Sequence, residues 1–215
     1  MSQNSFLKLP QQDGHPIQVV KYHDYIDIFK LNLDLEQLKP ACLAAGEMIE
    51  HQFKINGQGY ADASKKSPYT SAVYDQYNLL SFPVSPFYHV YKGIQSVFAQ
   101  LPKKDEPHFI QCWLNIFHDD NRFDWHSHSP KQFESWHGYF CVDTEPSVTT
   151  YALPGVKDLV AIENKDNQLV ISRSEGDKHR TNVWRSHDRK RISIAFDILP
   201  ARTMTYRPIN HWIPI

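Results

Sequence analysis

The segment from residue 107 to residue 200 limits the possible folds more than any other part of the sequence, because short apolar runs follow one another there at regular spacing. The runs are rich in β-branched and aromatic residues, and clusters of Asp, Asn, Gly and Pro separate them. They read HFIQCWLNIF, HGYFCVD, SVTTYAL, DLVAIEN, NQLVISR and RISIAFDIL. Short strands separated in this way are typical of sandwiches and barrels. We therefore expect a body of antiparallel strands arranged like a barrel.

The residues before this segment predict helices and loops instead. Residues 34–51 have apolar side chains at helical spacing, with acidic residues early and a helix start placed at Pro40. Ser85–Leu101 predicts a second helix, with Ser85 as its cap and a proline at the first helical position. Its core-facing stripe is expected to consist of Tyr88, Tyr91, Ile94, Val97 and Phe98. The polar range 57–71 predicts a surface loop, and we hypothesise that it acts as a lid over bound substrate.

The chain length allows one domain with a full core. At 215 residues and 25.1 kDa it is too short for two large domains. We expect a single domain made of a helical and loop flank (1–106), a β core (107–200) and a C-terminal tail (201–215). The expected fold class is mainly β with an α flank.

Charge and hydropathy argue against two classes of partner. The 23 basic residues nearly balance the 24 acidic ones, so no block of like charge offers itself to nucleic acid or to anionic lipid. The N-terminus has no apolar run of signal-peptide length, and no run reaches the roughly 18 residues of a membrane span. We expect a cytoplasmic protein without a membrane partner. The three cysteines are odd in number and flanked by apolar residues, which favours buried thiols over disulfides.

Histidine is abundant, and its placement in the β region suggests a metal site. The chain has 12 histidines. His126 and His128 are two residues apart, so on an extended chain both imidazoles point to the same face. His179 follows about 50 residues later, directly after NQLVISR, where a turn would place it at the mouth of a barrel. Each signal alone is weak, because paired or single histidines are more often structural than ligating.

The last long strand contains an arginine that needs an anion. In RISIAFDIL, alternation places Arg191 and Ser193 on one face of a segment that is otherwise apolar enough to be central in a sheet. A buried guanidinium must be paired with a negative charge. That charge belongs either to an Asp or Glu of the same chain or to a bound ligand.

The order and spacing of these motifs resemble the iron(II)- and 2-oxoglutarate-dependent oxygenase superfamily. The resemblance covers residues 109–200 and implies a double-stranded β-helix, the jelly-roll or cupin-like barrel of that superfamily. It implies that His126, His128 and His179 hold Fe(II). It also implies that Arg191 and Ser193 bind the distal carboxylate of 2-oxoglutarate, the cosubstrate.

A further match lies upstream of the histidine pair. Asn115 stands eleven residues before His126, where relatives in the nucleic-acid demethylase branch have an Asn-x-Tyr motif whose asparagine contacts the cosubstrate. Phe117 replaces the tyrosine, so the resemblance extends only to Asn115.

One position departs from the family pattern. The superfamily usually has Asp or Glu where this sequence has His128. Three interpretations remain open: a three-histidine iron site, a site whose carboxylate comes from Asp124 or Glu134 with His128 behind it, and a two-histidine site.

The implied activity is oxidation of a C–H bond. By resemblance, the chain consumes O2 and 2-oxoglutarate, releases succinate and CO2, and hydroxylates a small molecule or a protein side chain. Three tryptophans on or beside the metal-bearing segments are candidates for the substrate side: Trp125, Trp136 and Trp184.

Other functions also fit parts of the pattern. His126, His128, Glu134 and Gly138, followed by Gly176, His179 and Asn182, loosely match the two cupin motifs, which would indicate a metal dioxygenase or isomerase that does not use 2-oxoglutarate. A zinc hydrolase and a non-catalytic ligand-binding barrel are the remaining alternatives. Neither a cupin nor a zinc hydrolase requires the arginine in the last strand, whereas a binding barrel would hold no stoichiometric metal.

Overall fold

The computed structural model describes residues 18–23, 25–55, 69–71, 77–186, 188–206 and 211–215. Within these ranges the chain is mainly β, with two α-helices, α1 (Leu35–Ile55) and α2 (Ser85–Phe98). The strands are β1 (Gln18–His23), β2 (Ile26–Lys30), β3 (Tyr69–Thr70), β4 (His108–Phe117), β5 (Trp136–Asp143), β6 (Ser147–Ala152), β7 (Val160–Asn164), β8 (Gln168–Arg173), β9 (Lys178–Thr181), β10 (Arg191–Pro200) and β11 (Ile213–Pro214).

The strands form a large and a small antiparallel sheet. The large sheet has the order β1-β2-β8-β5-β10-β4-β11, and β3 also pairs with β4. The small sheet has the order β7-β6-β9. All six strands expected from the apolar runs are present as β4, β5, β6, β7, β8 and β10.

Both faces of the large sheet are covered, which explains why β5 is buried along its whole length. One face packs against the helices through a cluster that includes Ile94 and Phe98 of α2 and Ile194 and Phe196 of β10. The other face contributes to a smaller cluster that contains Tyr151 and Ile162 of the small sheet. The alternation of β10 therefore sends its apolar residues toward the helices and Arg191, Ser193 and Ala195 toward the small sheet.

Both helices lie where they were expected, but their N-termini differ from the prediction. α1 begins at Leu35 rather than Pro40, because the Asp34 carboxylate accepts a hydrogen bond from the Gln37 backbone N–H (3.2 Å). Pro40 lies inside the helix. In α2 the cap position is Val84, so Ser85 is already helical.

The stripe expected along α2 is rotated at its start. Tyr88 is 58% exposed, and Phe87 and Val90 lie in the core instead. The exposure follows from geometry, since position 88 lies on the opposite side of the helix from position 90.

The flanks contain more β structure than expected. β2 precedes α1 and pairs with β8, so the N-terminal flank is not only helix and loop. The C-terminal tail returns to the large sheet, where β11 pairs with β4 and Trp212 is buried. His179 follows β8 after a short connection and lies in β9, which pairs with β6.

Of the expected loop 57–71, residues 57–68 lie outside the described ranges, and Tyr69–Thr70 pairs with β4 as β3. The lid hypothesis stays a prediction. The three cysteines are free, buried thiols, as expected. No helix among the described residues is long and apolar enough to cross a membrane.

Candidate active site

A cavity of about 320 Å³ lies between the two sheets, at the low end of the range for ligand pockets. Its wall is formed by side chains of β4, β5, β6, β9 and β10 that point away from the helices, together with the segment that precedes the 3₁₀ turn at residues 131–133. The lining residues are Thr70, Trp113, Asn115, Phe123, His126, His128, His137, Gly138, Tyr139, Thr149, His179, Thr181, Arg191, Ser193 and Ala195.

The three histidines expected to hold a metal converge in this cavity. His126 and His179 pair as backbone neighbours, with the N–H of each donating to the other's carbonyl (3.1 and 2.9 Å). Their ring centroids are 4.3 Å apart, and the His128 ring is 5.2 Å from that of His179. One ligand atom from each of the three rings can be chosen so that all lie within 4.8 Å of one another.

The contacts of two of these rings indicate which nitrogen atom of each is free to bind a ligand. The Nδ1 atom of His126 lies 2.8 Å from the backbone oxygen of Asp124. The Nδ1 atom of His128 lies 2.7 Å from Oδ1 of Asp197. Since both acceptors require a protonated Nδ1, the Nε2 atoms of these rings are available as ligands.

The cluster keeps most of its imidazoles neutral. Burial, reinforced by the neighbouring histidines, holds the pKa of His179 well below its usual value. Burial also lowers the pKa of His126 and of His137. His128 differs: burial lowers its pKa, but the charge and hydrogen-bonding of Asp197 outweigh burial and raise it. Neutral imidazoles are the form that binds metal ions.

This donor set fits a divalent transition metal. The Nδ1 atom of His179 is buried and has no hydrogen-bond partner among the described residues, an arrangement that is costly unless a ligand or ion compensates it. Imidazole nitrogens suit iron and zinc, and three of them leave other coordination positions open.

Two polar residues of the cluster were not predicted from the sequence. His137 and Asp177 are 1% and 2% exposed, and Nε2 of His137 lies 3.2 Å from Oδ2 of Asp177. Together with His179 they form a second set that could hold a metal ion. Strand parity could have indicated His137, because it stands two residues before the inward-facing Tyr139.

Arg191 lies in the same cavity and has no acidic partner in the part of the chain that the structure describes. It is 3% exposed, and its guanidinium donates hydrogen bonds to the hydroxyls of Ser147 (3.1 Å) and Ser193 (3.2 Å). Among the described residues, no carboxylate lies within ion-pair distance of it. Burial lowers the pKa of the guanidinium. No internal salt bridge to Arg191 is therefore present in the described part of the chain, where a buried cation is left facing a cavity.

Asn115 lines the cavity beside this arginine. It is directly opposite Ser193 in the β4–β10 pairing and is 5% exposed. Its Oδ1 atom is buried without a hydrogen-bond partner in the described part of the chain. Since the amide can turn to present either oxygen or NH2, it can contact a polar ligand bound next to Arg191.

Neither carboxylate proposed as an alternative ligand faces the cavity. The Asp124 side chain is 82% exposed and pairs with Arg122. The Glu134 side chain is 50% exposed and pairs with Lys104 and Arg202. The carboxylates that do approach the histidines are Asp177 and Asp197.

The tryptophans expected on the substrate side do not line the cavity. Trp136 packs edge-on against Phe98 in the core on the helix side of the large sheet, and Trp184 is 1% exposed. Trp125 points outward and stacks with Arg180. The aromatic side chains that do line the cavity are Trp113, Phe123 and Tyr139. Strand parity and the spacing before His126 could have suggested Trp113 and Phe123, whose rings lie beside those of His128 and His126.

No family model and no curated protein sequence matches this chain. Several solved structures are similar to it. The non-haem α-ketoglutarate-dependent carbocyclase SnoK from nogalamycin biosynthesis is 10% identical, with a TM-score of 0.54 over 82% of this chain and 79% of that chain. AviO1 from Streptomyces viridochromogenes is 11% identical, with a TM-score of 0.53 over 84% of this chain and 92% of that chain.

A third solved structure is similar over a shorter region. For a 2OG-Fe(II) oxygenase family protein from Burkholderia pseudomallei, the identity is 12% and the TM-score 0.42, and the match covers 57% of this chain and 55% of that chain. The chain thus spans about half the length of that oxygenase. The similarity to SnoK, at low sequence identity, establishes that this chain shares the fold of an α-ketoglutarate-dependent enzyme, which confirms the sequence resemblance at the level of fold.

Proposed function

We propose that this chain is an Fe(II)- and 2-oxoglutarate-dependent oxygenase, a single domain whose two sheets form a double-stranded β-helix. The observation that supports this most directly is the placement of Arg191. A buried guanidinium without an acidic partner among the described residues lines the same cavity as three converging histidines. A dicarboxylate keto acid would use both ends of such a cavity, because one end can chelate a metal and the other can pair with the arginine.

In this proposal His126, His128 and His179 hold the iron. Bound iron together with 2-oxoglutarate supplies the oxidising chemistry by which O2 is activated toward a C–H bond. The histidines contribute neutral nitrogen ligands, and the rigid pairing of His126 with His179 keeps two of the rings close together before the metal binds.

Arg191 and Ser193 bind the distal carboxylate of the cosubstrate. A guanidinium can form two parallel hydrogen bonds to a carboxylate, and the Ser193 hydroxyl can add a third donor. Ser147 and Ser193 hold the guanidinium in place, so little side-chain entropy is lost when the anion arrives. Asn115, opposite Ser193, donates from its amide to the same ligand.

Four further lining residues are assigned to the substrate. Trp113 and Phe123 flank the histidine rings, and Thr70 and Thr181 provide the neighbouring polar atoms. These side chains are neutral, so the reacting part of the substrate is an uncharged group of a small molecule or of a protein side chain. We propose hydroxylation with release of succinate and CO2 as the outcome.

Anaerobic titration of the Fe(II)-loaded protein with 2-oxoglutarate tests this function. A weak visible absorption band of the chelated keto acid should appear on saturation. Arg191→Met, which retains volume, should weaken 2-oxoglutarate binding at least about 30-fold, since a charge-assisted bidentate contact contributes several kcal/mol. Arg185→Met is the matched control, because Arg185 is an exposed arginine paired with Asp120 outside the cavity.

Pyruvate separates the role of the arginine from an effect on folding. It has the same chelating end as 2-oxoglutarate but lacks the distal carboxylate. Wild type and Arg191→Met should therefore bind pyruvate with similar, weak affinity. Iron binding without any response to 2-oxoglutarate would overturn the proposal in favour of a cupin-type enzyme, and absence of metal binding would indicate a ligand-binding barrel.

A further inference from the structure

Among the described residues, Asp197, in the same strand as Arg191, brings a carboxylate into direct contact with one of the proposed iron ligands. Its Oδ1 atom lies 2.7 Å from Nδ1 of His128, and the two side chains are 15% and 12% exposed. Asp197 is the fourth residue of the inward-facing series that starts at Arg191, and it is paired across the sheet with His137. Asp197 therefore has a fixed position in the framework of the large sheet.

The contact orients His128 as a ligand. A carboxylate at Nδ1 selects the tautomer with the proton on that nitrogen and leaves the lone pair on Nε2. Trp113 stacks on the same ring with a centroid distance of 6.0 Å, which limits rotation of the imidazole.

The contact also affects the charge of the site. Three neutral histidines leave a divalent ion with its full charge of two, whereas a ligand carboxylate at position 128 would reduce it by one. Asp197 brings one negative charge to the back of the His128 ring, and an imidazole that donates to a carboxylate is a more basic ligand.

Resting on the function proposed above, we propose that Asp197 is a positioning residue that supplies, through His128, the negative charge that an acidic ligand at position 128 would supply directly. In this arrangement His126 and His179 bind the metal as in the usual site, and His128 with Asp197 behind it takes the place of the usual carboxylate ligand. Asp177 is not assigned this role, because its ion pair is with His137, which is not one of the three proposed ligands.

Metal affinity, measured by competition with a chromophoric chelator using Fe(II) under anaerobic conditions and Co(II), tests this assignment without any turnover. Asp197→Asn should weaken binding roughly 10- to 100-fold, the usual effect of losing such a partner. Asp197→Glu retains the charge and should remain within about fivefold of wild type. Unfolding of the metal-free protein, compared with wild type, shows whether either variant has lost stability.

A rescue experiment separates charge from structure. In the double variant His128→Asp with Asp197→Asn, the carboxylate introduced at position 128 is itself an acidic ligand, and the amide introduced at position 197 can donate to it. Affinity should return to within a few-fold of wild type. The visible spectrum of bound Co(II) should change, because one nitrogen ligand is replaced by oxygen.

The possible failures are distinguishable. A wild-type protein that binds no metal would refute the function proposed above. Metal binding that is equal in wild type and Asp197→Asn would refute the role of Asp197 alone, as would a double variant that binds no better than Asp197→Asn. Loss of binding in Asp177→Asn, with no effect of changes at position 128, would assign the metal to His137, Asp177 and His179 instead.

Discussion

Arg191 on β10 lies directly opposite Phe117 on β4, and its guanidinium carbon is 4.8 Å from the centroid of the Phe117 ring. The ring covers one face of the guanidinium in a site from which water is largely excluded. A cation over an aromatic face gains about 0.5–2 kcal/mol, most when it is desolvated. Phe117 thus compensates part of the burial of an arginine that has no acidic partner in the described part of the chain.

Phe117→Leu should therefore weaken 2-oxoglutarate binding to the Fe(II)-loaded protein by about three- to tenfold, because the guanidinium loses its aromatic face and its fixed orientation. Isothermal calorimetry under anaerobic conditions measures this affinity. Phe140→Leu is the matched control, since Phe140 is equally buried in β5 but lies in the cluster against the helices. Equal affinities in the two variants would contradict the role of the ring.

Asp124→Asn and Glu134→Gln should leave metal affinity unchanged. Both carboxylates are exposed and occupied by surface ion pairs, which contribute less than about 1 kcal/mol to stability. His179→Ala, in contrast, should abolish stoichiometric binding. Titration of the three variants with Co(II) measures the difference, and a tenfold loss of affinity in either carboxylate variant would restore that residue as a candidate ligand.

His108 should make the metal-free protein less stable in acid. It is 4% exposed, its ring packs edge-on against Phe98 and Trp136, and burial, with a smaller contribution from Lys103, lowers its pKa. Below the ordinary histidine pKa of about 6.5, His108 takes up a proton in the unfolded chain but stays neutral in the folded chain. The free energy of unfolding should therefore be unaffected by His108 above that pH and should decrease as the pH falls below it.

A histidine of this kind can contribute up to about 1.4 kcal/mol per pH unit to the slope of the unfolding free energy against pH. In the presence of a chelator, His108→Phe should show a shallower decrease of the unfolding free energy between pH 7 and pH 5 than wild type. Denaturant unfolding at a series of pH values measures it. Parallel slopes would show that His108 is not held neutral in the folded protein.

Gly138 has no room for a side chain. A Cβ at this position of β5 would lie well inside contact distance of the Val170 backbone oxygen and of the Phe196 ring. The backbone contact belongs to the pairing of β5 with β8 and cannot move cheaply. Gly138→Ala should lower the unfolding free energy by at least about 2–3 kcal/mol, measured by denaturant unfolding.

Gly155→Ala provides the comparison, because no atom lies within 4 Å of a Cβ there and only its positive φ of 73° is unfavourable. Its cost should be about 1 kcal/mol. A Gly138→Ala protein as stable as Gly155→Ala would mean that β5 and β8 separate more easily than their pairing suggests.

Six strands of the β core, and the face of β10 that meets the cavity, could be predicted from the amino-acid pattern alone. Alternation in RISIAFDIL placed Arg191 and Ser193 together, and the cavity confirms this arrangement. The same rule places Asp197 on that face. Periodicity also located both helices, although the start of α1 depended on a cap at Asp34 rather than on Pro40.

Which polar groups meet could be seen only in the folded chain. The contact of His128 with Asp197 joins residues far apart in sequence and depends on how the segment around His126 docks on β9 and on the position of β10 in the sheet. Burial of Trp136 and Trp184 and exposure of Asp124 and Glu134 likewise depend on packing between elements. Local pattern specifies the face of a strand, but the neighbours of that face are set by strand register and sheet packing, which no single segment encodes.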